Sequence, residues 1–189
     1  MFRFQTDRYG SMFARLIDGA PPTAISTGTP HHEALAELES LTVEAAFTGK
    51  PIQNQQAAEG CISGIWLLHH FLDRSHTISQ DISSSTGSFW HGIMHRREPD
   101  YSNAAYWFRK VGNHEVFLNL ASPESPFYSE AVEGGLIVDG QWDPFRFIDL
   151  CAEVTANSTA QLDLCRKITR IEWELLFDYG YRQATESDA

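Results

Sequence analysis

The sequence predicts an all-α protein, a single-domain helical bundle of about six helices. Three observations carry that expectation. Apolar residues recur at helical spacing, as in Leu164, Ile168, Ile171 and Leu175. Helix-start chemistry stands at Thr29-Pro30, Asp100-Tyr101 and Asp143-Pro144, where a hydroxyl or carboxylate caps the first turn and proline twice takes the first helical position. No stretch alternates apolar and polar residues as a half-buried strand does. A chain of 189 residues is long enough to enclose one core.

The elements follow in order. Residues 1–28 form a partly irregular lead-in with a short helix at Ser11–Ile17, broken by Gly19-Ala20-Pro21-Pro22. A helix starts at Thr29-Pro30, turns Leu35, Leu38, Leu41 and Ala45 to one face, and ends at Gly49 and Pro51. His31 and His32 fall in its solvated first turn. A central helix runs from about Gln55 to Gln80, and Gly60 and Gly64 within it imply close helix packing. Ile82 to Gly87 is a turn, and the next helix reaches Glu98 before Pro99 stops it. Asp100 caps a helix over Tyr101–Val111 that Gly112 closes. Val116 to Leu120 reads as an extended connection, and Pro123 to Gly140 as a long loop before the last two helices. Those begin at Asp143-Pro144 and at the capping box Ser158-Thr159-Ala160-Gln161. Gly180 ends the last one, leaving a frayed tail at 183–189.

Charge and composition narrow the function. A formal charge of -11 argues against a general nucleic-acid binder and against attachment to anionic lipid. No apolar run approaches the ~20 residues of a membrane-spanning helix, and the N-terminus does not open like a signal peptide. The expectation is a cytoplasmic protein, with Cys61, Cys151 and Cys165 as reduced, buried thiols.

The chemistry concentrates between Ile62 and Glu98, which hold five of the eight histidines. On one continuous helix His69, Asp73 and His76 form a stripe at i, i+4 and i+7, and the next helix repeats that spacing with His91, His95 and Glu98. Imidazoles one turn apart reach a single ion from the same side. His69, Asp73, His76, His91 and His95 are therefore the candidate ligands of a divalent metal. Three nitrogens suit zinc, and two histidines with a carboxylate suit non-haem iron. Glu98 is the candidate acid/base. Arg96 and Arg109 are candidates to orient a small polar or anionic substrate, with Tyr106 and Trp107 as pocket walls. The function these residues favour is a metal-dependent enzyme of hydrolase or hydratase type, ahead of an iron oxygenase. Two other readings stay open: a metal-free module binding a small ligand or peptide, and a structural protein whose buried polar network fixes helix register. The sequence leaves the oligomeric state undetermined.

The segment His91-Gly92-Ile93-Met94-His95-Arg96-Arg97-Glu98-Pro99-Asp100-Tyr101-Ser102-Asn103-Ala104-Ala105-Tyr106-Trp107-Phe108-Arg109 is distinctive. With Leu72-Asp73-Arg74-Ser75-His76 before it and Trp142-Asp143-Pro144-Phe145 after, it resembles a family of uncharacterised bacterial and fungal proteins. The resemblance spans about the central half of the chain. It implies that these stretches form one unit of the fold, and it implies no reaction.

Overall fold

A computed structural model describes residues 3–157 and 160–186. Its helices are α1 (Ser11–Asp18), α2 (Leu35–Glu39), α3 (Val43–Ala46), α4 (Gln55–Leu68), α5 (Leu72–Ser79) and α6 (Ser85–Arg97). After them come α7 (Tyr101–Val111), α8 (Glu115–Leu120) and α9 (Tyr128–Glu133). A two-stranded antiparallel hairpin, β1 (Ile137–Val138) and β2 (Gln141–Trp142), precedes α10 (Pro144–Asn157) and α11 (Leu162–Thr185). The mainly helical class agrees with the sequence. The number of helices does not, and each difference has an identifiable cause.

The helix expected from Thr29 is two short pieces. Thr42 interrupts it, leaving helical φ and ψ to accept the Ala45 amide on its hydroxyl at 3.2 Å and start α3. The central helix breaks after Leu68, because His70 takes a positive φ of 67°. Val116–Leu120 is helical, with His114 capping the Val116 amide at 3.2 Å. The expected loop from Pro123 holds α9 and β1, and the hairpin turns through Asp139 and Gly140, both at positive φ. Two consecutive left-handed residues match the right-handed twist of a tight hairpin. Gly180 does not end the last helix: α11 runs through it, and a Cβ there would lie 3.3 Å from the Cys61 sulfur. Ser158 and Thr159 of the expected capping box lie outside the described residues, as do 187–189 of the expected frayed tail.

Helix α7 has the bounds its caps dictate, with Asp100 accepting the Asn103 amide at 3.1 Å. Around the core, α4 packs on α5, α6 and α11. Gly60 and Gly64 let the Trp90 indole lie against α4, and Trp90 is fully buried. A Cβ at Gly64 would meet the indole at 2.7 Å. Gly64→Val is therefore expected to destabilise the fold by about 1–3 kcal/mol through overpacking. Urea unfolding measures this, and an unchanged midpoint would show that Trp90 has room to move.

The lead-in from 19 to 31 crosses the bundle without regular structure. Arg97 fixes it by donating to the carbonyls of Ser26 (2.9 Å) and Thr27 (3.2 Å), while also holding the Leu67 carbonyl (3.0 Å). The His70 ring meets the Thr29 carbonyl at 3.1 Å and packs over Gly28, where a Cβ would collide with it at 2.5 Å. These tertiary contacts hold the break between α4 and α5, and the break decides which histidines can meet.

Candidate metal centre

Three histidines converge. His76 comes from α5, and His91 and His95 come from α6 one turn apart. One ring nitrogen from each lies within 4.8 Å of the other two. Ring centroids are 4.6 Å apart for His76–His91, 4.7 Å for His91–His95 and 5.4 Å for His76–His95. A tetrahedral zinc with bonds of about 2.0–2.1 Å spaces its ligands roughly 3.3 Å apart. His91 and His95 are buried and His76 is half-buried.

Hydrogen bonds set the tautomers. The Ser79 hydroxyl stands 3.4 Å from the His76 carbonyl and 3.0 Å from His91 Nδ1, so that by donating to the carbonyl it can accept a proton held on Nδ1. Glu98 Oε2 stands 3.2 Å from His95 Nδ1 and accepts its proton. With their protons on Nδ1, His91 and His95 each present an Nε2 lone pair, the form that binds a metal. Burial and the neighbouring His95, His76 and Lys110 push His91 down to about 3. Burial also lowers His95, against the opposing pull of Glu98. The pair is neutral at physiological pH, as metal ligation requires.

Around the triad, the Trp107 ring lies 4.1 Å from His91, and the Lys110 ammonium sits 4.2 Å over that indole. The Asn103 amide nitrogen lies 3.0 Å from His95 Nε2. Ser79 and Asn103 are the neighbours that sequence reasoning passed over, while Lys110 stands in the last turn of α7, where a cation offsets the helix dipole. Ser79 was the more legible, three residues after His76 on the same helix.

The other candidates lie elsewhere. His69 falls past the end of α4 and does not join the triad: its Nε2–H donates to the Leu16 carbonyl at 2.8 Å, and its Nδ1 meets His31 Nδ1 at 3.0 Å. His31, expected in solvent, is half-buried against it. Asp73 is exposed on α5 and takes no part in the group. Arg96 is 1% exposed and cannot meet a substrate. It forms a bidentate pair with the fully buried Glu172 and lies 4.5 Å from the Phe147 ring centroid. Arg97, the last residue of α6, is buried too. Arg109 is exposed over Phe145, beside a groove that includes Tyr101, Ala105 and Ile148. It lies two residues beyond Trp107, which turns it to the other side of α7. Tyr106 is exposed next to Trp107. Glu98 reaches the triad from behind His95.

No family model, curated protein or solved structure matches the chain. No helix among the described residues is long and apolar enough to cross a membrane.

Proposed function

We propose that His76, His91 and His95 bind a divalent metal ion and that the protein is a metal-dependent enzyme, a hydrolase or hydratase acting on a small polar or anionic molecule. The observation that carries this reading is the convergence of three imidazole nitrogens, two of them on rings whose Nδ1 protons are already taken by Ser79 and Glu98. Three imidazole nitrogens with no carboxylate among them favour zinc over the two-histidine, one-carboxylate iron site. Three protein ligands leave a fourth position for water, whose pKa a catalytic zinc brings to about 7. In this reading Glu98 is a positioning residue that holds the His95 tautomer. Contact with substrate passes from Arg96 and Arg109 to Trp107, Tyr106 and Lys110 on the His91 side. The free thiols of Cys61, Cys151 and Cys165 support a cytoplasmic setting.

Asn103 favours a second reading. Its amide hydrogen is placed to occupy the His95 lone pair, so the cluster is also satisfied as a metal-free polar network. A panel of small esters, amides, phosphate esters and carbonyl hydrates separates the two. Zinc-loaded protein is expected to turn over at least one class, and chelation or His91→Ala is expected to abolish it. Turnover that survives metal removal would reject the metal-dependent reading.

A further inference from the structure

The guanidinium of Arg97 is a buried cation without a carboxylate. It is 4% exposed, and among the described residues no Asp or Glu oxygen pairs with it. Its three bonds to the carbonyls of Ser26, Thr27 and Leu67 use three of five N–H donors. One hydrogen on each terminal nitrogen remains. Partial charges of carbonyls solvate a cation but do not neutralise it, and buried charges in proteins are ordinarily paired. Its neighbour Arg96 is already neutralised by Glu172 and offers nothing to share.

A part-open cavity of about 20 Å³ adjoins this group, lined among others by Arg97, His70, Thr169, Arg170, Ile93 and Trp173. That is room for one water or one small ion. Thr169 is 6% exposed, and its hydroxyl has no hydrogen-bond partner among the described residues. A second arginine, Arg170, is on the wall, although its Nε is engaged by Glu174 at 2.7 Å. Of the two buried donors on the wall, Arg97 thus has two polar hydrogens left over and Thr169 one. A chain of net charge -11 places two arginines beside one small hole. Most of the lining is apolar, so what selects an anion over water is charge: an anion accepts the remaining hydrogens of Arg97 and Thr169 and balances the guanidinium, which a water molecule does not.

We propose that this cavity between α4, α6 and α11 binds one small monovalent anion, chloride by size and cellular abundance, as the counter-ion of Arg97. The site is separate from the histidine triad and stands whether or not that triad holds a metal. The bound ion completes the anchor that pins the lead-in across the bundle.

The test is thermal unfolding of the full chain in sodium chloride against sodium gluconate, at fixed ionic strength and sodium concentration. Gluconate is too large for the cavity. Chloride at about 100 times its Kd is expected to raise Tm by roughly 5–10 °C. Thr169→Val, which removes one donor while preserving shape, is expected to reduce that shift by at least half. Bromide soaked into crystals should give an anomalous peak within hydrogen-bond distance of the Arg97 terminal nitrogens. Equal melting in the two salts, a chloride shift unaltered in Thr169→Val, or a bromide-free cavity holding only water would each overturn the proposal.

Discussion

Replacing Glu172 by alanine is expected to cost the fold about 3–5 kcal/mol, the largest single-site loss the structure predicts. The carboxylate is fully buried and both of its oxygens meet Arg96, which is itself 1% exposed. Removing one partner strands the other charge in a medium that cannot solvate it. The Phe108 and Phe147 rings lie near the guanidinium and offer no hydrogen-bond acceptor to replace the carboxylate. The pair as a whole is a different matter, since a well-packed apolar substitute for both charges is often neutral or stabilising. Arg96→Met combined with Glu172→Leu should therefore recover most of what Glu172→Ala loses. Guanidinium unfolding of the three variants decides it. A double variant no more stable than Glu172→Ala would mean that the loss comes from packing and not from an orphaned charge.

The second large effect is acid lability of the metal-free protein. Five buried histidines have their proton affinity lowered, chiefly by burial: His69, His70, His91, His95 and His114. His91 is brought to about 3 and His114 to about 4. In the unfolded chain these rings titrate near 6.5. Above that pH neither state binds the protons, and the stability is fully present. Below it the unfolded chain takes up protons that the folded chain refuses, so stability falls as pH drops toward 3–4. His91 alone accounts for a loss on the order of 4 kcal/mol across that window. Denaturant midpoints at pH 7 and pH 4.5 are expected to differ steeply, and His114→Gln should flatten the difference. A pH-independent midpoint over that range would contradict the buried, neutral state of these rings.

How much of this was legible in the sequence depended on range. Helix α7 was read to its ends because Asp100 and Gly112 act on their immediate neighbours. The break after Leu68 was not, because neither glycine nor proline marks it. The positive φ of His70 is held by Thr29, and the Leu67 carbonyl by Arg97, residues distant in sequence. That one break removed His69 from the stripe it shares with His76 on a continuous helix. His91 and His95 kept their relation because one turn of a single helix fixes it. Arg96 and Arg97 end α6, where a charged side chain is ordinarily solvated. Their burial comes from α11 and the lead-in folding over them, which no local pattern announces. Asp139-Gly140 was a readable hairpin signal, and composition alone made that stretch look like a loop.

The triad is tested most directly by titrating zinc into metal-free protein purified without a histidine tag, with His76→Ala, His91→Ala and His95→Ala alongside. The account predicts one ion bound per chain, a raised Tm on binding, affinity that weakens as pH falls because the ligands must be neutral, and loss of binding in each variant with helical content retained. Zinc uptake that is absent in the unaltered chain, or undiminished in all three variants, would contradict it.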